Sequence, residues 1–351
     1  MNEKDIQALI DNTAIVETEL VVKNNDGTDY ATLTQDNSVK SWDYDEKRYV
    51  PKYGVIGQFV ARTLEGEFQN ISDNFVIENK KIQAKFGVAI TKDEGIELTT
   101  ENGSIITTED NDSIIDERYT IGYDTTYYSL GTFIVDKPED NEVVDSTSYT
   151  ATDYTILFNK TFNGDYTDSE YTKSFNQLLS EGTKVIAQWL AKYTCKQCGV
   201  ELATTNFINW DFEIPDNQFQ NNNACRDVMK AIGKLAYSWV RIGWDDKVYI
   251  DFTVKTSVEH DYNKLTNDNY YSLSTQNQKY GPINRVLIGN STFTGDVEMV
   301  EDAESIEKNG LHELYIYDNP ITYTKELRQK ALKKANVLFG LEYDEIGRAH
   351  V

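Results

Sequence analysis

Cys195-Lys196-Gln197-Cys198 is a CxxC spacing, which chemistry uses as half of a zinc site or as a dithiol redox motif. The redox version places its first Cys at a helix N-terminus, where the dipole stabilises thiolate. Here the pair follows a helix whose apolar spacing ends near Tyr193, the opposite end. A zinc site needs four ligands. Cys225 supplies a third, and the remote His260 is a poor fourth. The expectation is therefore no metal, with Cys195 as a buried apolar residue at a helix end. Histidine is scarce: His260 lies in polar sequence, His312 heads a strand beside Glu313, and His350 sits at the very end. No H-E-x-x-H, G-x-S-x-G or phosphate-loop pattern occurs. A Cys–His dyad would need Cys225 to meet His260 or His312, and nothing local brings them together. With 58 Asp and Glu, some pair falls at glycosidase spacing by chance. Glu109-Asp110, Asp112 and Asp116-Glu117 could hold Ca²⁺ but lack the EF-hand spacing, so a solvated loop is the expectation. The sequence assigns no catalytic, cofactor-binding or metal residue.

The elements around these residues are mostly strands. Met1 to Asp11 is a short amphipathic helix, and Ala14 to Val22 alternates as a strand before the turn Asn24-Asn25-Asp26-Gly27. Further strands are expected over Val39–Tyr44, Tyr53–Leu64, Tyr119–Tyr123, Tyr127–Val135 and Val143–Phe158, with a hairpin at Phe75–Ile90. Lys137-Pro138-Glu139-Asp140-Asn141 is expected to break the strand before it, and Asp93 to Asp112 to be a long loop or protruding hairpin. The texture changes near Phe162. Helices are expected over Thr183–Tyr193 and Arg226–Tyr237, a short strand at Phe207–Ile214, and a hairpin of Trp239–Ile242 with Lys247–Val254. After the polar stretch Ser257–Tyr280 come strands at Ile283–Gly289, Val297–Val300 and Leu314–Tyr317, then a helix over Thr324–Phe339. The fold class is α+β and mainly β. The expected division is a β-rich first domain (1–153), an inserted α+β domain (154–254) and a second β-rich region with a C-terminal helix (255–344).

Composition narrows the function classes. Aromatics reach 12 %, with 23 Tyr, which excludes a disordered chain. The net charge of −24 repels nucleic acid and anionic membrane. Its plain reading is solubility; its sharper reading is an acidic surface past which DNA must slide without sticking. No apolar run reaches the ~18 residues of a membrane span, so no membrane insertion is expected of this segment. Three Cys make no disulfide framework, which fits assembly in a reducing cytoplasm. The string Ile346-Gly347-Arg348-Ala349-His350-Val351 reads as the translation of a common sequencing adapter, ATC GGA AGA GCA CAC GTC. Residues 346–351 are therefore expected to be non-native, with the natural chain continuing past Asp344.

Six segments in order resemble the hub proteins at the tail tip of long-tailed bacteriophages (baseplate hub, gp27-like). Tyr128-Ser129-Leu130-Gly131-Thr132-Phe133-Ile134-Val135-Asp136 is similar to the family's LGTFyVd strand. Ser148-Tyr149-Thr150-Ala151-Thr152-Asp153-Tyr154-Thr155-Ile156-Leu157-Phe158 resembles its tayDymikf stretch. The helix with Cys195, Gly199, Val200, Glu201 and Leu202 follows, then Cys225-Arg226-Asp227-Val228-Met229-Lys230-Ala231-Ile232, the strand Val248-Tyr249-Ile250, and Tyr317-Asp318-Asn319-Pro320-Ile321. Cys198 is extra to the family pattern, and Gly233-Lys234 stands where an acidic residue is usual. The resemblance spans Asn24 to Tyr343. It implies β-barrel tube-type domains with an inserted α+β domain, a homotrimer, and a virion structural role. The hub would join a distal tail or tube protein to the tip around a channel for tape measure protein and DNA, with no cofactor. Two alternatives remain open. The chain could be the N-terminal part of a tail-associated lysin whose peptidoglycan hydrolase domain lies beyond this segment. It could also be a tip protein that binds host glycans through its many Tyr residues.

Overall fold

Alternating apolar residues make the first half of the chain a sheet. In β1 (Ala14–Lys23), Thr18, Leu20 and Val22 are buried on one face while Glu17 and Glu19 are partly exposed on the other. The structure, a computed structural model, describes residues 3–10, 14–34, 38–46, 57–69, 75–78, 80–92, 96–97, 115–116, 122–141, 146–216, 218–219, 223–251, 272–273, 279–280, 282–290, 296–340, 343–344 and 349–350. Helix α1 (Glu3–Ile10) packs on β1 and on β6, with Asp5 accepting a hydrogen bond from Tyr128. The remaining strands of this half are β2 (Asp29–Thr34), β3 (Val39–Glu46), β4 (Phe59–Val60), β5 (Arg62–Gln69), β6 (Lys81–Lys92), β7 (Ile96–Glu97), β8 (Ile115–Asp116), β9 (Gly122–Asn141) and β10 (Ser146–Asp153).

Seven of them form one antiparallel sheet in the order β2-β1-β6-β9-β10-β5-β3. Leu33 from one edge and Val39 from the other belong to the same buried core, with Leu20, Leu64, Phe68, Ile82 and Phe133 between them. The sheet is therefore curled about a single core. Ser38 ties the edges at one end: its N–H donates to Thr34 and its carbonyl accepts from Gln69. Among the described residues the ladder stays open, with β2 and β3 as edges, so the expected closed barrel is not formed there.

Two expectations fail in this sheet for local reasons. Pro138 does not break β9. Strand β6 ends its pairing with β9 at Ile134, and one further bond, Val135 N–H to the Lys80 carbonyl, closes that side; beyond it β9 pairs with β10 alone and its free side needs no N–H. The hairpin at Phe75–Ile90 is one strand, β6, preceded by a turn in which Lys80 N–H donates to Ile77. Ile77 is buried without being in a strand. The acidic stretch Asp93–Asp112 lies outside the described residues except for β7, which pairs with β8.

After β10 the chain makes a 3-10 turn (Tyr154–Asn159), then α2 (Phe175–Ser180), α3 (Ala187–Gln197), α4 (Cys225–Leu235), β11 (Trp239–Ile242) and β12 (Val248–Asp251). Ser174 and Gln177 cap α2 reciprocally. Helix α3 begins four residues later than its apolar spacing suggests, because Ile186 is extended and bridges to Glu213. It also continues through Gln197, so the CxxC spans its last turn and cap. The expected strand at Phe207–Ile214 is a turn. Asn209 adopts a left-handed φ of 61°, and its amide donates to the carbonyls of Leu235 and Ala331.

The final third carries β13 (Ser272–Leu273), β14 (Lys279–Tyr280), β15 (Arg285–Gly289), β16 (Val297–Glu301), α5 (Ala303–Asn309), β17 (Glu313–Tyr317), α6 (Lys325–Leu332), β18 (Tyr343–Asp344) and β19 (Ala349–His350). Strands β16-β15-β17 make a mixed sheet with β15 and β17 parallel, while β13 pairs with β19 and β14 with β18. Helix α6 stops at Leu332 and the chain resumes as a 3-10 turn (Ala335–Leu338). The carbonyl of Ala331, which would continue the helical ladder, is taken by Asn209 and by the Tyr237 hydroxyl. One hydrophobic core runs from Phe59 and Phe158 through α3 and α4 to Val286, Ile316 and Leu338. The class is α+β, mainly β.

Candidate functional site at the junction of the two cores

Strands β4 and β5 are separated by Ala61 alone, yet they serve different sheets. Strand β4 pairs in parallel with β11, and β5 pairs with β10 and β3. The chain thus crosses from one core to the other at Arg62. Strand alternation puts Arg62 on the same inner face as Leu64 and Phe68, so a guanidinium enters apolar surroundings and is 1 % exposed. A buried cation is tolerated only if paired and fully hydrogen-bonded.

Each guanidinium nitrogen finds a partner from a different element. Arg62 Nε donates to Asp153 at 2.9 Å, and its backbone N–H donates to the same carboxylate at 3.2 Å. Nη1 donates to the Leu130 carbonyl at 2.8 Å and Nη2 to the Gly243 carbonyl at 3.0 Å. Leu130 is free to accept because the register between β6 and β9 skips it: Ala84 faces Gly131 and Lys85 faces Ser129. Gly131 has φ of +100°, and a Cβ there would lie 2.8 Å from Arg62 Nη2. Asp153 ends β10 and caps the following 3-10 turn through the N–H and hydroxyl of Thr155, at 3.1 and 2.6 Å. Across the gap, the turn between β11 and β12 sends Asp246, at a left-handed φ of 62°, back to the N–H and hydroxyl of Thr132, each at 2.7 Å.

Two of the motif segments meet at this point. Leu130, Gly131 and Thr132 supply the bulge, and Asp153 and Thr155 the carboxylate and its cap. Arg226 at the start of α4 donates to the Thr155 carbonyl, Ala203 N–H donates to Val248, and Asn319 donates to the Ala231 carbonyl in α4. The segments that read singly as packing patterns are thus hydrogen-bonded to one another, some at Arg62 and others through α4 and β12. Sequence reading missed the joint's central cation. The signal was there: a charge at the first of three positions, Arg62, Leu64 and Phe68, that share a strand face. It also missed Lys234, whose ammonium donates to the carbonyls of Tyr317 and Asp318 and lies 5.3 Å from the Tyr317 ring centroid.

The chemistry-bearing residues of the sequence are placed as follows. Cys195, Cys198 and Cys225 are all buried and free of disulfides, with Cys198 capping α3 and Cys225 opening α4. Burial pushes the Cys195 thiol up, which keeps it protonated. The His312 ring approaches the Asn309 carbonyl at 3.2 Å, and the His312 backbone N–H donates to the Asn284 side chain. His260, Glu109, Asp110, Asp112 and Glu117 lie outside the described residues, and Asp116 and His350 are described only as backbone in β8 and β19. Among the described residues no group of three or more His, Cys, Asp or Glu is arranged to hold a metal ion. None of the described helices is long and apolar enough to cross a membrane.

No protein-family model matches the chain, and no curated protein matches it. Solved structures similar to it at low identity include three tail proteins. The 43 kDa tail protein of prophage MuSo2 from Shewanella oneidensis is 12 % identical, with a TM-score of 0.41, over 90 % of this chain and 80 % of that one. Prophage tail protein gp18 from Listeria monocytogenes EGD-e is 9 % identical, with a TM-score of 0.42, over 90 % and 76 %. A tail protein from Neisseria meningitidis MC58 is 8 % identical, with a TM-score of 0.40, over 91 % and 76 %.

Proposed function

We propose that this chain is a structural subunit of a bacteriophage tail, the hub that joins the tail tube to the tip. The observation that carries the reading is the hydrogen bonding between segments that resemble tail-hub motifs: those around Leu130 and Asp153 meet at buried Arg62, and α4 ties to Thr155 at one end and to Asn319 along its length. A tube-end subunit transmits force between a ring wall and whatever is docked to it. A joint in which every guanidinium nitrogen is bonded to a different element suits that task, because its geometry is fixed in all directions.

In this reading residues 1–153 form a tube-type domain, 154–254 an inserted module and 255–344 a second tube-type region. Three copies would close a ring around a lumen for tape measure protein and DNA. The charge of −24 gives the wall its mechanism: carboxylates facing the lumen repel phosphates and leave no cationic foothold. The protein would reside in the virion and act as a scaffold rather than by turnover. Immunogold electron microscopy on purified particles of the encoding phage tests this. Label at the distal end of the tail supports the hub; label on the head, or none on intact or tip-opened particles, removes it.

A further inference from the structure

The sheet β16-β15-β17 has one covered face and one bare one. Val286, Ile288, Leu314 and Ile316 point into the core, where α6 packs on β15 and β16. The register sets three rows on the other face. Arg285 stands between Glu301 and Glu313, Leu287 between Met299 and Tyr315, and Gly289 between Val297 and Tyr317. The first row is charged but paired within itself, since Arg285 donates to Glu301 at 2.9 Å and to Glu313 at 2.8 Å. The other two rows are apolar and open: Met299 is 58 % exposed, with Val297 and Tyr317 exposed beside it. Helix α5, which links β16 to β17, buries no residue and does not serve as a cover. A parallel pair such as β15 and β17 is ordinarily covered on both faces. Beside Tyr317 stands an unmatched cation. The Lys234 ammonium donates to the carbonyls of Tyr317 and Asp318 and lies over the Tyr317 ring, and among the described residues no carboxylate forms an ion pair with it.

We propose that this face seats a second copy of the same chain, with a carboxylate of the neighbour on Lys234. The proposal rests on the ring reading above and names a surface that builds the ring. Charge selects the occupant. The chain holds 58 Asp and Glu against 34 Lys and Arg, so a second copy has carboxylates in surplus to offer an unmatched ammonium. Two such copies repel wherever their carboxylates face each other. On this face they would not, because Lys234 offsets the one carboxylate that the Arg285 row leaves in excess. Nucleic acid and anionic lipid gain nothing comparable, since the remaining charge of the chain repels them. The make-up also fits an interface centre, where Met, Tyr and Arg are enriched and acidic residues are few. The rows are about 10 Å across and 16 Å long. That is the apolar middle of a footprint of ~800 Å², with the Arg285 row and Lys234 at its rim. In a closed ring each copy sets this face against a different surface of the next.

The test uses the full chain, followed by light scattering over a concentration series and by peroxide footprinting with peptide mapping. Met299→Asp puts a charge in the apolar middle and should raise the dissociation constant about 30-fold or more. Lys234→Gln keeps a donor for the two carbonyls but loses the charge, and should raise it about tenfold. Met299→Leu should assemble like wild type. Peroxide converts an accessible Met to its sulfoxide. Oxidation of Met299 should therefore slow as the wild-type chain assembles, while the buried Met229 stays intact throughout. A wild-type trimer that Met299→Asp leaves intact, or in which Met299 oxidises as fast as in the diluted monomer, would overturn this face as the contact and leave the ring standing. A wild-type chain that never associates would remove both. Protection of Met299 that appears only when another tail protein is added would assign the face to that partner and overturn the proposal. If Met299→Asp loses its circular dichroism, the wild-type footprint decides alone.

Discussion

Asp153→Asn is the most informative single change at the joint. The wild-type carboxylate is fully buried and accepts from Arg62 twice and from Thr155 twice. Asparagine keeps one acceptor oxygen and turns an NH₂ toward a guanidinium that has no acceptor to offer. The Arg62 charge stays 1 % exposed and loses its counter-ion, which costs about 3–5 kcal/mol. Arg62→Met is the reciprocal change. It strands the Asp153 charge and removes the donors to Leu130 and Gly243, for a similar ~3–5 kcal/mol. In the double variant both charges are gone. What remains unsatisfied is chiefly two carbonyls, so its cost should be about 2–3 kcal/mol, below the sum and below either single variant. Urea unfolding reads all three, followed by far-UV circular dichroism for the sheet and by fluorescence for the helical side. Four of the five tryptophans, Trp189, Trp210, Trp239 and Trp244, lie beyond the joint. In the single variants the two signals should separate as the halves uncouple. Single costs below ~1 kcal/mol, or additivity in the double variant, would refute the claim that this pair holds the two cores together.

Gly131→Ala should destabilise by about 2–4 kcal/mol in the same assay, because its φ of +100° excludes a side chain and its Cβ would meet Arg62 and Asp246. Asp246→Ala should cost about 2 kcal/mol, losing both bonds to Thr132 and leaving a left-handed alanine. Tyr149→Phe should be neutral or stabilising by up to ~1 kcal/mol, since the Tyr149 hydroxyl is buried without a partner among the described residues. Asp168 is held below its ordinary 3.8 by the Tyr171 N–H and the Tyr166 hydroxyl. Its contribution is present above that ordinary value and lost as pH falls through the lower folded one. The gap in melting temperature between wild type and Asp168→Asn should therefore be open at pH 7 and close in strong acid.

Local pattern carried most of the fold because most elements bury one face. The alternation of β1 and the spacing of α4 required no tertiary knowledge, and the segments that carry the family resemblance include some that hydrogen-bond to one another in the fold. Where reading failed, a distant group had intervened. Phe207–Ile214 alternates like a strand, but Asn209 reaches across to Leu235 and Ala331 and makes it a turn. The same contact stops α6 early, though the apolar spacing runs on to Phe339. Pro138 reads as a strand breaker, and only the position of β6 shows that it sits on a free edge. The joint itself was half legible. Leu130, Gly131 and Asp153 stand in the segments that carry the family resemblance. Arg62 does not, and its partner stands 91 residues away, where no local rule connects them.

Mass in solution, measured by light scattering on the full chain, bears most directly on the hub reading, with negative-stain imaging of the same sample. The account predicts a species of three times the chain mass, forming rings with a central hole wide enough for duplex DNA. A stable monomer at concentrations well above those of assembly, or a compact oligomer without a hole, would contradict it.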